Sequence, residues 1–494
     1  MVEAVTRHPI PDQSAARTLG RVLRSLGYTE DGVYRMLGDE AYSTERDDAP
    51  IAARRLPRTP LGIAVRLFFL QLAVSQREAA RALGPNGVEA LEATGLADMG
   101  DEVAARSRIL PIGKLLLASD GFSLESEDPP DYVATYTPTA RVLDSLTPRR
   151  SVERALDVGT GSGIHALLAA QHARHVIATD VNDRALAYTQ LNAALSGLTN
   201  VECRNGSLFE PVAGQTFDHV TCNAPYVVSP ERRWAYRDSG FRADEVSERV
   251  VEQSAAQLAT GGFAAVQVSW LARDEKSADD RVLAWVEATG CESWVLPTMG
   301  MDALDHAAEW NAHLAHEPEA LEEALGEWAA YFDDLGMHWV SEGVVILRRD
   351  DGDEPTVRVD PVDADDVEEA SDQVLRAFEA RKRLRGLARE ALLDARLSPA
   401  VAFRVEQELE PDDGGSDVVE SRVQLAEGTK HTLEASGEAL EILTALDGRT
   451  PLGELITRTA DELGLGRQET TRLRREGLRL TRELLELGAL DLRG

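Results

Sequence analysis

The segment 154–164, RALDVGTGSGI, constrains the fold of this chain more than any other stretch of its 494 residues. Its apolar run ALDV (155–158) passes into Gly159-Thr160-Gly161-Ser162-Gly163, and a helix-forming stretch follows from 163. Glycines at such a turn let the backbone bend sharply and approach a ligand closely, because a Cβ there would collide with it. A strand handed to a helix in this way belongs in a parallel sheet covered by helices. Asp180 ends the next strand-like run, HVIATD (175–180), where a carboxylate can accept both ribose hydroxyls of a nucleotide-like ligand.

The alternation of strand and helix patterns continues through 129–350. Further strands are expected at VECRNG (201–206), FDHVTCN (217–223), FAAVQVSW (263–270), CESWVLP (291–297) and VSEGVVILR (340–348), the last two as a hairpin. Helices fit at 163–173, 183–196, 245–259, 277–289 and about 303–334. The flanks read differently. In 1–128, Leu19, Val22, Leu23 and Leu26 share a helical face, 61–74 reads as a buried helix, and two strand-like runs close a winged-helix-like segment. An acidic linker is expected at 351–372, and a mostly helical, winged-helix-like segment at 373–494. Within the latter, 376–397 is a basic helix, either solvated or RNA-binding, and 408–417 an acidic loop.

Length fits roughly two to four domains. Hydrophobic content of 43% with 28% charged residues is that of a soluble globular protein. No apolar run reaches the roughly 20 residues of a membrane span, and the first residues lack a signal-peptide core, so a cytoplasmic protein with no membrane partner is expected. Three cysteines, Cys203, Cys222 and Cys291, have neither disulfide-framework numbers nor metal-ligand spacing, and no metal is expected. The net charge of -33 repels nucleic-acid phosphates over most of the surface and favours a protein or small-molecule partner, unless it reflects a generally acidic proteome. The oligomeric state has no signature in the sequence.

The glycines run G-x-G-x-G behind an acidic residue, Asp157, rather than G-x-G-x-x-G. A carboxylate there repels a dinucleotide pyrophosphate and suits S-adenosylmethionine, which carries a sulfonium and an ammonium. After the third strand, Ser207 stands where a neutral hydrogen bond to adenine or an ordinary turn is expected, with Leu208 beside the ring. Tyr136 and Thr137 precede a helix expected over the cofactor. The fourth strand closes on Asn223-Ala224-Pro225-Tyr226, at the carboxyl edge where open α/β sheets bind ligands. An amide or base nitrogen is a poor nucleophile. Asn223 Oδ1 and the Ala224 carbonyl can accept its two N–H groups, steering the lone pair toward the methyl, while Tyr226 stacks on the acceptor plane.

Asp157 with G-x-G-x-G resembles the E/D-x-G-x-G-x-G motif of class I S-adenosylmethionine-dependent methyltransferases, and N-A-P-Y-V-V-S-P resembles the N-P-P-Y loop of HemK/PrmC-type protein-glutamine methyltransferases. The resemblance covers about 133–272 and departs at Ala224, where the family has Pro. It implies a Rossmann-like seven-stranded α/β core, this cofactor, and N-methylation of a macromolecule: a protein glutamine amide, or alternatively an rRNA or DNA base in structured nucleic acid. A small-molecule methyltransferase and a non-catalytic binding protein are further readings. Arg232, Arg233, Trp234, Tyr236 and Arg237 form a basic aromatic cluster beside the loop, able to read a base or a peptide or to serve as a solvated lid.

Overall fold

The computed structural model describes residues 9–122, 128–231, 240–352, 354–412 and 415–493. They divide into two compact units, one from Met1–Arg141, Arg150–Val295 and Gly300–Arg358, the other from Val142–Arg149, Leu296–Met299 and Val359–Gly494. None of the described helices is long and apolar enough to cross a membrane.

The first unit is built on a sheet of β1 (Val152–Val158), β2 (Ala173–Asp180), β3 (Val201–Asn205), β4 (Phe217–Cys222), β5 (Leu258–Ala272), β6 (Glu292–Asp302) and β7 (Trp339–Arg348), with a short β8 (Val357–Val359). The order is β3-β2-β1-β4-β5-β7-β6-β8. Strands β3, β2, β1, β4 and β5 pair in parallel, and β7 runs antiparallel to β5 from Phe263↔Arg348 to Ala272↔Trp339. Central strands buried on both faces need continuous apolar runs, and Ala155, Leu156, Val158, Val176, Ile177 and Val220 are all at most 1% exposed. All seven expected strands form. The last two are sheet neighbours, although β7 also pairs with β5 and the helix expected over 303–334 is broken. It stops at Trp310, where Asn311 Nδ2 donates to the Ala307 carbonyl, and restarts at Pro318.

The N-terminal segment packs as part of this unit, so residue 128 is not a packing boundary. Helix Gln13–Ser25 is capped by Asp12 and buries Leu19 and Leu23, with Val22 and Leu26 half-buried. The expected helix at 61–74 is shorter. It runs α-helically over Pro60–Ala64, loosens to a π turn over Val65–Phe69, and ends where Arg108 Nε takes the Phe69 carbonyl and Gln71 adopts φ +53°. Val74–Ser75, Glu102–Ala105 and Ala97–Met99 then form a small antiparallel sheet, and Arg108–Ile112 pairs with Leu115–Ser119 as a hairpin.

Helix Asp183–Ser196 joins this segment to the central sheet. It is buried nearly all round, which a helix tolerates only between two layers. Leu23, Phe68 and Leu117 of the N-terminal segment share one core with Ile164, Leu167, Tyr188, Leu191 and Leu195. The outer edge of strand Leu115–Ser119 is paired by side chains of this helix. Asn192 accepts from the Ala118 N–H at 2.9 Å and donates to its carbonyl at 2.7 Å, and Ser196 Oγ accepts from the Leu116 N–H at 3.0 Å. Helix Gln13–Ser25 crosses it so closely that a Cβ on Gly20 would lie 2.0 Å from the Leu195 carbonyl oxygen, which already accepts from Arg24.

The second unit also departs from expectation. Its basic helix spans Ser371–Leu384 and buries Ala377, Phe378 and Arg381, so it is neither fully solvated nor a free cationic face. Of the residues expected as an acidic loop at 408–417, 408–412 and 415–417 lie on the paired strands Phe403–Asp412 and Gly415–Leu425. The acidic run before it is packed rather than a free linker, since Val362, Val367 and Ala370 are buried. Helices Gly437–Thr444, Leu452–Glu462 and Arg467–Glu486 enclose a core of Ile442, Leu455, Leu480 and Leu484.

Gly20→Ala gains about 1 kcal/mol of helix propensity but forces two helices apart, an overpacking that costs about 1–3 kcal/mol. A lowered urea midpoint is expected. An unchanged or raised midpoint would contradict the close helix contact.

Candidate active site

The chain leaves β1 through Gly159, Gly161 and Gly163, all at positive φ, and enters helix Ile164–Ala170. Two of these glycines are fixed by close approach. A Cβ on Gly159 would lie 3.1 Å from Ala224 Cα, and one on Gly163 would lie 2.8 Å from Thr189 Oγ1. The turn after β1 therefore packs directly on the loop after β4, which brings the two sequence motifs together.

Asp157 lies beneath this turn. It is 1% exposed, and its carboxylate accepts from Thr160 Oγ1 at 2.7 Å, the Ala166 N–H at 3.0 Å and Thr221 Oγ1 at 3.0 Å. Burial pushes its carboxyl up to about 6 against the pull of those donors. Asp157 thus lies under the turn rather than on the wall of the cavity beside it, bonded to the turn, to its helix and to β4.

Above the turn is a cavity of about 380 Å³. Gly159, Thr160 and Gly161 form one wall, and Asp180 continues it at the end of β2. Asp180 accepts from the Gly161 N–H at 2.9 Å, the Asn182 N–H at 2.8 Å and the Val181 N–H, which fixes its carboxylate at the cavity wall where a ribose hydroxyl could reach it. Burial raises its pKa. Ser207 and Leu208 line the cavity beyond β3, with Leu208 at φ +47° and its carbonyl held by Thr179 Oγ1 at 3.1 Å. Thr137 lines it from the opposite side, whereas Tyr136 packs against the hydrophobic core and is not among the lining residues. Carboxylate, backbone N–H groups and a neutral Ser-Leu edge suit an adenosyl group.

The acceptor loop completes the enclosure. Asn223, Ala224, Pro225 and Tyr226 all line the same cavity. Ser269 Oγ donates to the Tyr226 carbonyl, and the Tyr226 hydroxyl bonds Thr139 and Gln267, which pins the ring. Burial, then the nearby Glu342, raises the Tyr226 pKa, so it stays a neutral phenol. Cys222 precedes the loop fully buried, its thiol pushed up to about 12 by burial, and is no nucleophile. The basic aromatic cluster of Arg232, Arg233, Trp234, Tyr236 and Arg237 lies outside the described residues.

Several lining residues escaped the sequence reading, among them Tyr132, Val133, Asn182, Phe241 and Trp310. Asn182 had a signal, since it caps helix Asp183–Ser196 two residues after Asp180. Tyr132 and Val133 had none. Val133 is positioned by Asp120, whose carboxylate accepts from the Val133 N–H at 2.8 Å and from Tyr188 Oη at 2.9 Å and pairs with Arg184, while Tyr132 Oη donates to the Gly121 carbonyl at 2.9 Å.

Asp180→Ala is expected to weaken S-adenosylmethionine binding about tenfold or more by calorimetry, the loss of a charged hydrogen-bonding group. Asp157→Ala should first lower the thermal midpoint, by orphaning three buried donors. Unchanged affinity in the first variant would contradict the ribose role of Asp180, and unchanged stability in the second would contradict the supporting role of Asp157.

Residues 155–239 match the family described as "Methyltransferase domain", and residues 25–107 match one described as "Domain of unknown function (DUF7059)". The chain is similar to the release factor glutamine methyltransferase of Aliivibrio fischeri, 40% identical over 88 residues, 17% of this chain and 30% of that protein. The enzyme of the same name from Deinococcus radiodurans is 34% identical over 157 residues, 28% of this chain and 55% of its own. The ribosomal protein uL3 glutamine methyltransferase of Bordetella pertussis is 41% identical over 99 residues, 18% and 33% of the two chains. The chain thus spans between 30% and 55% of the length of these relatives. A solved methyltransferase from Pyrococcus furiosus is similar at 18% identity and TM-score 0.27, over 43% of this chain and 83% of its own. This protein carries a class I S-adenosylmethionine-dependent methyltransferase domain of Rossmann-like α/β fold, HemK/PrmC-like in its sequence.

Proposed function

We propose that this protein transfers the methyl group of S-adenosylmethionine to the side-chain amide nitrogen of a glutamine in a protein acceptor. The observation that carries the reading is that Asn223, Ala224, Pro225 and Tyr226 line one cavity with Asp180, Ser207 and Leu208. The bound cofactor supplies an electrophilic methyl group on a sulfonium. The chain's own contribution is to position a weak nucleophile. Asn223 Oδ1 and the Ala224 carbonyl accept the two amide N–H groups, which holds the lone pair toward the methyl and favours the positive charge that grows on nitrogen. Once methylated, the nitrogen is cationic and loses its proton to water without a dedicated base.

Ala224 in place of a proline is compatible with this role. The accepting group is a backbone carbonyl, Pro225 biases residue 224 toward extended geometry, and the Gly159 contact holds it from behind. The curated relatives are named for glutamine methylation of release factors and of ribosomal protein uL3, which supports the same acceptor chemistry.

With tritiated cofactor and a lysate from cells lacking the protein, label should enter material destroyed by protease and spared by ribonuclease. Asn223→Ala should lower that transfer by about two or more orders of magnitude, as for a lost transition-state contact, with cofactor affinity nearly unchanged. Ribonuclease-sensitive label, or full transfer by Asn223→Ala, would overturn the proposal.

A further inference from the structure

The second unit holds a groove of about 1180 Å³ that the methyltransferase chemistry does not use. One side is the face of the Phe403–Asp412 and Gly415–Leu425 hairpin that carries Val405, Gln407 and Ser421, with Gln407 opposite Ser421. The other is formed by helices Gly437–Thr444 and Arg467–Glu486. Two properties coincide here. Val405, Val419 and Leu463 are large apolar residues left 48%, 50% and 46% exposed, three of the few such residues among those described, and all three line this groove. Around them stand six glutamates, including Glu408, Glu434, Glu438 and Glu441, against two arginines.

One rim glutamate, Glu420, is paired by Arg422 at 2.7 Å. Arg479 is engaged by Glu483 at 3.0 Å and by the Glu434 carbonyl at 2.9 Å. Glu438 and Glu441 lie three positions apart on helix Gly437–Thr444, both exposed, while Ala439, Leu440, Ile442 and Leu443 turn into the core. Exposed aliphatic side chains ringed by one sign of charge mark an interaction surface whose partner carries the opposite sign. Nucleic acid is repelled by the carboxylates. A second copy of a chain with net charge -33 is disfavoured for the same reason.

We propose that this groove docks a Lys/Arg-rich amphipathic segment of a partner protein, its aliphatic side chains on Val405, Val419 and Leu463 and its cations against the glutamate rim. The inference is independent of the methyl acceptor, and its test involves no methyl transfer.

The probe is a fluorescein-labelled amphipathic Lys/Leu peptide, followed by anisotropy with the full-length protein. E438K/E441K should weaken binding about tenfold, the effect of reversing two rim charges. E322K/E323K, an equal charge change on exposed residues of helix Pro318–Leu335 in the first unit, should leave it unchanged. Val405→Asp adds a negative charge yet should also weaken binding, because it removes an apolar contact. Leu463→Asp provides the same reading from a helix end, and thermal melts verify that each variant folds. Equal weakening by the control pair, or tighter binding by both aspartate variants, would reduce the effect to general attraction to an acidic protein and overturn the proposal. So would comparable binding of a Glu/Leu peptide or single-stranded RNA at the groove, or a dimer in sedimentation that either aspartate variant dissolves.

Discussion

The site rests on one buried carboxylate. Asp157 is bonded by Thr160 from the glycine turn, by the Ala166 N–H from the helix that follows, and by Thr221 from β4. It therefore ties the cofactor turn, its helix and the strand that delivers Asn223 into one rigid junction. Burying a carboxylate is unfavourable, and its rise to about 6 records that cost; the three donors keep it ionised at neutral pH, where such bonds are strongest. With β1 and β4 locked side by side, Gly159 can pack against Ala224, and the two loops share one cavity.

A second layer of support comes from the N-terminal segment. Asn192 donates to Ser162 in the glycine turn at 2.8 Å while it pairs with Ala118 on the hairpin strand. Removing its side chain would orphan several buried backbone groups, at about 1–3 kcal/mol each. Asp120 does the equivalent on the other side, holding Val133 at the cavity wall and Arg184 and Tyr188 on the helix. The segment preceding the sheet is thus a structural component of the wall of the candidate site.

What could be read from the chain follows from how local each determinant is. Both motifs are short and set by neighbours in sequence, so the placement of the turn after β1, of Asp180 and of the 223–226 loop at one edge of the sheet was legible, as were all seven strands. The roles of Asp157 and Tyr136 were not, because they depend on which side of a turn or helix faces a partner far along the chain. Asn192 reads as an ordinary polar residue in a helix, and only the hairpin strand beside it reveals an edge that needs pairing. The hairpin of strands Phe403–Asp412 and Gly415–Leu425, paired at ten registered positions, was obscured because the stretch 408–417 has the acidic, glycine-containing composition of a loop.

In the proposed reaction the joined loops present a planar amide to the cofactor. Mass spectrometry of protein acceptors labelled from deuteromethyl S-adenosylmethionine locates the transferred group directly. The label is expected on a glutamine side-chain nitrogen. Label on lysine, arginine or a carboxylate, or recovered in nucleosides, would contradict it.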